Sequence, residues 1–232
     1  MAGTLIVALD MDTATEAEGL VEALGQGVDF YKIGYQLIYG GDGLAFGKAL
    51  IATGKRVFFD LKLLDIDNTV ERATAAIALS GACMMTVHAY PQCMRAAQNA
   101  AAGSDLMILG VSVLTSMSDA DVAEAGFARD TAGLVALRAG QAKAAGIGGL
   151  VCSPLEAEMV RSLVGPGMAI VTPGIRPRGS DAGDQKRIMG PADALAAGAS
   201  HLVVGRPITA ADDPKAAAAA ILREMAGGTR IA

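Results

Sequence analysis

Apolar positions along this chain alternate between two patterns. Short runs, apolar almost throughout, recur at Leu5–Leu9, Phe30–Ile33, Val57–Leu61, Cys83–His88, Leu106–Val113, Gly149–Cys152, Ala169–Val171 and His201–Val204. They have strand length, and strands apolar on both faces suit a parallel sheet covered by helices. Between them lie alanine-rich stretches with helical spacing: Thr15–Leu24, Leu44–Ala52, Thr69–Leu79, Met94–Ala101, Thr131–Ala145, Leu155–Leu163, Ala192–Ala197 and Pro214–Met225. Strand and helix thus alternate eight times, the count at which such a sheet closes, so the pattern predicts an α/β fold of the (β/α)₈ TIM-barrel type. A doubly wound open sheet uses the same alternation and is the structural alternative.

Composition narrows this picture. At 232 residues the chain has the size of one barrel, with no compositional break, so residues 1–232 are expected to form a single domain. The polar, glycine-containing stretch from Arg176 to Arg187 follows the seventh strand and is expected to be a mobile loop closing over a ligand. No apolar run reaches the roughly 18 residues of a membrane span, and the start of the chain lacks the features of a signal peptide. A cytoplasmic protein without membrane contact is therefore expected. Cys83, Cys93 and Cys152 stand in no metal-ligand spacing and read as small core side chains. A net charge of −5 argues against nucleic acid as partner, and it means that any anionic ligand needs a locally positive pocket.

In a barrel of this kind the strand C-termini face the active site, and here those exits are polar. The first ends in Asp10, the second carries Lys32, the third Asp60 and Lys62, and the fifth runs into Thr115 and Ser116. The seventh leads to Arg176 and the eighth to Gly205-Arg206. Asp60 and Lys62, two apart on a strand, project to the same face while Leu61 points to the outer layer. With Lys32 from the neighbouring strand and Asp65 just beyond, they suggest an alternating Lys-Asp-Lys-Asp array in which carboxylates keep the ammonium groups charged. A salt-bridge network that merely caps the barrel is the simpler reading of any one pair, but four charges at adjacent exits favour a functional site. Gly205-Arg206 combines close backbone approach with a guanidinium at the eighth exit, a recurrent phosphate position, and points to a phosphorylated substrate. His88 and His201 read as scaffold.

The segment from Asp60 to Thr69, Asp-Leu-Lys-Leu-Leu-Asp-Ile-Asp-Asn-Thr, closely resembles the signature of orotidine 5′-monophosphate decarboxylases. The resemblance continues through Val7–Asp10, Tyr31–Gly34, Leu114–Met117, Thr172–Arg176, Asp184–Arg187 and Val204–Arg206, and so spans the chain. It implies a lyase that converts orotidine 5′-monophosphate to UMP and CO₂, the last step of UMP biosynthesis, with no cofactor and no metal. It further implies Lys62 as proton donor to C6 of the pyrimidine, Asp60 and Lys32 in its charged network, and Asp10 on the ribose. Thr115 or Ser116 would contact the base, Gln185, Gly205 and Arg206 the phosphate, and Arg176 belongs to the ligand-binding set. The family's homodimers share sites across the interface, which implies that Asp65 and Thr69 reach the partner's site. Asp67 stands where proline is common in the family, so this loop is expected to be less rigid. Two competing readings remain: a Mg²⁺-dependent sugar-phosphate decarboxylase sharing the Asp-x-Lys-x-x-Asp pattern, and a barrel that binds nucleotide without catalysis.

Overall fold

Eight parallel strands pair in sequence order and close on themselves, β1 with β2 through to β8 with β1. They are β1 (Thr4–Leu9), β2 (Phe30–Ile33), β3 (Arg56–Leu63), β4 (Met84–His88), β5 (Met107–Val111), β6 (Gly149–Val151), β7 (Ala169–Thr172) and β8 (His201–Val204). The computed structural model describes residues 3–177 and 189–227. Closure settles the choice left by the alternation: the fold is a single-domain (β/α)₈ barrel, and the doubly wound sheet is excluded.

The two-residue period of each strand sorts its side chains into two cores. Ile6, Ala8, Phe30, Phe58, Met84, Leu109, Val171 and Val203 fill the barrel interior. Their neighbours Val7, Leu9, Tyr31, Ile33, Phe59 and Met85 face outward under the helices, where the larger core lies. Fully burying each large side chain stabilises the fold by roughly 1.5–3 kcal/mol, so both faces of every strand resist unfolding. The interior core is hydrophobic up to the strand C-termini and gives way there to charge.

The expected helices are all present, with ends shifted by a few residues because capping decides them. The first begins at Ala14, one residue before the expected Thr15, where Thr13 and Glu16 form a reciprocal capping box. The stretch expected at Leu155–Leu163 splits into a 3₁₀ turn, Pro154–Glu156, and a helix, Ala157–Val164. Three short helices carry too little periodic signal to be read from sequence: Tyr35–Gly40, Asp119–Glu124 and Arg206–Thr209. Two of them start directly after β2 and β8, at the mouth. Among the described residues no helix is long and apolar enough to cross a membrane. The stretch from 178 to 187, and with it Gln185, lies outside the described residues.

Candidate active site

At the C-terminal end of the barrel a cavity of about 600 Å³ opens, and Asp10, Lys32, Asp60 and Lys62 line one side of it. Lys32 projects inward from β2, level with Phe58 on β3. Its Nζ lies 2.8 Å from Asp10 Oδ1 and 3.5 Å from Asp60 Oδ2. Asp60 Oδ2 also receives Lys62 Nζ at 2.7 Å. The charges therefore alternate Asp10, Lys32, Asp60, Lys62 around three adjacent strands. The side chains of Lys32 and Asp60 are only 9% and 13% exposed, against 50% for Asp10. The array is thus most enclosed at its centre and opens towards Asp10 at the rim.

Burial and pairing oppose one another here, and pairing wins. Burial pulls the Lys32 ammonium down, but Asp60 and Asp10 beside it outweigh this and hold its pKa above the usual lysine value. Burial pushes the Asp60 carboxyl up, but Lys32, Lys62 and hydrogen bonds from Lys62 and Thr86 hold it below the usual carboxylate range. Both groups are charged at neutral pH. Desolvating so many charges stabilises a fold poorly compared with apolar packing, and their concentration at a cavity wall marks a chemical purpose. The arrangement can place a fixed ammonium against a reacting atom in a site of low dielectric.

Not all of this follows from regular strand geometry. Asp60 and Lys62 do meet, and Leu61 does pack on the outer core. Yet the β3–β4 register shifts between Phe59 and Leu63, and Lys62 has φ +45°, the left-handed region. An irregular strand end, rather than simple alternation, brings lysine back over the carboxylate. The Lys62 ammonium also sits 5.2 Å from the Tyr35 ring, on the short helix after β2.

Asp65 does not join this array within one chain. It is exposed beyond β3, where its Oδ1 accepts the Ile66 N–H at 2.7 Å. Asp65 lines a separate shallow pocket with Leu64, Ile66, Asp67 and Gln92. Thr69 is likewise exposed, on the helix Asp67–Ala78. The single-chain array suggested by spacing is therefore corrected: its fourth member is Asp10 rather than Asp65.

The other expected residues converge on the cavity. Thr115 and Ser116 line it after β5, Arg176 after β7, and Gly205 and Arg206 after β8. Arg176 is buried, and its backbone N–H bonds the Met189 carbonyl. Gly205 caps the helix Arg206–Thr209. The alternating charges at the ends of β1–β3 thus share the cavity with two arginines that follow β7 and β8. Among the described residues no group of three or more His, Cys, Asp or Glu side chains gathers as a metal site.

Three contributors escaped the sequence reading. A Cβ at Gly34 would lie 2.8 Å from Lys32 Nζ and 3.0 Å from Asp10 Oδ1, so glycine is what lets that pair form. Arg138 is buried against the rings of Tyr90 and Phe127 and donates to the Ser112 carbonyl, steadying the start of the segment that carries Thr115 and Ser116. Thr86 was hidden inside an apolar run, although its even spacing from Met84 marks it as inward-facing. The two histidines lie where expected. His88 ends β4, and His201 lies at the opposite end of the barrel, its ring edge-on to Phe30 and bonded to the Ser200 hydroxyl.

Fold and site together define a TIM-barrel enzyme with a lysine–aspartate array and two arginines lining one cavity. Residues 3–221 match the model of the Orotidine 5′-phosphate decarboxylase / HUMPS family, and the chain belongs to that family. Among solved structures, it is similar to the orotidine 5′-phosphate decarboxylase of Lactobacillus acidophilus, with 38% identity and a TM-score of 0.85 over 96% of this chain and 99% of that one. It is also similar to an uncharacterized conserved protein from Geobacillus kaustophilus, with 31% identity and a TM-score of 0.82 over 95% and 99% of the two chains.

Proposed function

We propose that this chain decarboxylates orotidine 5′-monophosphate to UMP and CO₂, the last step of UMP biosynthesis. The observation that carries this reading is the Asp10–Lys32–Asp60–Lys62 chain of ion pairs in a cavity that Gly205 and Arg206 also line. Family membership and the 38% identical decarboxylase support it.

The chemistry follows from the charges. Breaking the bond between C6 and the carboxylate leaves an electron pair in the plane of the pyrimidine, where the ring cannot delocalise it. Stabilisation must come from outside the substrate. A Lys62 ammonium beside C6 stabilises the developing carbanion and then transfers a proton from Nζ to C6, leaving UMP and a neutral amine that regains its proton from solvent. Asp60 and Lys32 hold that ammonium in place, and Asp10 takes the ribose hydroxyls at the open rim. Thr115 or Ser116 meets the base. Gly205 and Arg206 grip the phosphate through backbone N–H and guanidinium, with Arg176 completing the ligand-binding wall. No step draws on a metal or organic cofactor.

The active form in this reading is a homodimer. Leu64 and Ile66, 49% and 71% exposed, flank Asp65, and such apolar exposure around a carboxylate suits an interface. Asp65 and Thr69 then complete the partner's site.

The family model spans more than one activity, so the test is made on substrate. Orotidine 5′-monophosphate should lose its absorbance on conversion to UMP, at an undiminished rate in chelator. Turnover of a sugar phosphate with Mg²⁺ instead, and none of the nucleotide, would overturn the reading.

A further inference from the structure

The register of β3 against β4 exposes a structural problem at the centre of the array. Phe59 pairs with Met85 and Leu63 with Val87, so the pairing moves four residues along β3 but only two along β4. The surplus lifts Lys62 out of the ladder and into a left-handed backbone, φ +45°, which among the described residues no other non-glycine adopts. A side chain in that region is strained by roughly 1–2 kcal/mol, and its backbone N–H loses the carbonyl partner a regular strand would offer.

Thr86 answers both needs. It is fully buried on β4, facing inward. Its Oγ1 accepts the Lys62 backbone N–H at 2.9 Å. Its own O–H donates to Asp60 Oδ1 at 2.8 Å. Asp60 Oδ2 is the oxygen that receives the Lys62 ammonium at 2.7 Å. One hydroxyl therefore ties the backbone that carries the lysine to the carboxylate that holds its side chain, closing a ring from Lys62 N through Thr86 and Asp60 to Lys62 Nζ. A hydroxyl can do this because it donates and accepts at once. Valine would fill the same space and do neither.

We propose that Thr86 is a positioning residue for the decarboxylation, fixing the Lys62 ammonium and the Asp60 carboxylate relative to each other and so to the reacting carbon. The inference rests on the functional reading above. The Thr86 hydroxyl is committed to Lys62 and Asp60, the groups beside the reacting carbon, so its loss acts on the chemical step and leaves nucleotide binding in place. A displacement of about 1 Å at a reacting group is enough to cost on the order of 100-fold in rate.

The test compares Thr86→Val, Thr86→Ala and Thr86→Ser with wild type, measuring kcat and KM for orotidine 5′-monophosphate and the affinity for UMP. The valine and alanine variants should lose roughly 10- to 100-fold in kcat, with KM and UMP affinity within about threefold of wild type. Serine, which keeps the hydroxyl, should restore kcat to within about threefold. If the valine variant does not fold, the alanine–serine comparison decides alone. Unchanged kcat in the hydroxyl-free variants, or a serine variant as impaired as alanine, would overturn the role of Thr86 while leaving the functional reading intact. An inactive wild type would remove both.

Discussion

Asp60 holds a buried negative charge between two ammonium groups, and His201, at the opposite end of the barrel, holds a buried neutral ring. Their pH behaviours separate the stability of the fold from the chemistry of the site. Asp60 titrates below its unfolded value, so the stability it contributes is present above about pH 4 and is lost as pH falls through its lowered folded value. Burial, reinforced by the charge of Arg56, pushes the His201 imidazole down to about 4, from 6.5. Between those values the unfolded chain binds a proton that the folded one refuses, so stability falls as pH drops from 6.5 towards 4. The full shift corresponds to about 3 kcal/mol, less whatever residual solvent access screens away. His201→Gln should flatten that decline in urea unfolding series at pH 7 and pH 4.5, and leave kcat unchanged because the ring lies far from the mouth. A variant that kept the wild-type slope would show that another group causes it.

At the scale of elements, the site depends on where strands stop being regular. Reading alternate residues places Asp60 and Lys62 on one face, and the structure brings them together, but through a register shift and a left-handed lysine that no side-chain pattern announces. Thr86 and Gly34 were illegible for related reasons. Each is an unremarkable residue in a strand or strand exit, and its importance comes from a neighbour on another strand. Gly34 has an ordinary φ of −108°, so its requirement is space rather than backbone freedom. The atoms a Cβ would meet are the ends of the Lys32 and Asp10 side chains, which can swing aside. Gly34→Ala should therefore leave the thermal midpoint within a few degrees of wild type, yet lower kcat/KM by roughly tenfold or more through the displaced Lys32. Equal activity in the two proteins would mean that the Lys32–Asp10 pair is dispensable.

For the whole molecule, the chain's eightfold alternation made the barrel the first choice, because each strand is buried on both faces and each helix covers its own segment, and closure of the sheet decided it against a doubly wound alternative. The convergence of Arg176, Gly205 and Arg206 on the cavity was also legible, since fold geometry directs every strand exit to one mouth. What a single chain could not supply was the fate of Asp65, whose proposed role lies across an interface. If sites are shared, Lys62→Ala and Asp65→Ala chains, each inactive alone, should regain activity when mixed and allowed to exchange. Half the dimers would be hybrids with one intact site in two, giving about a quarter of wild-type activity. No recovery, with exchange verified, would place Asp65 outside the partner's site. The central claim, that the Lys62 ammonium stabilises and protonates the carbanion at C6, is tested most directly by Lys62→Ala. Orotidine 5′-monophosphate turnover by this variant should fall by at least 1,000-fold, on the order of the loss of a key electrostatic group, while UMP still binds and the fold is kept. Turnover equal to wild type would contradict the account.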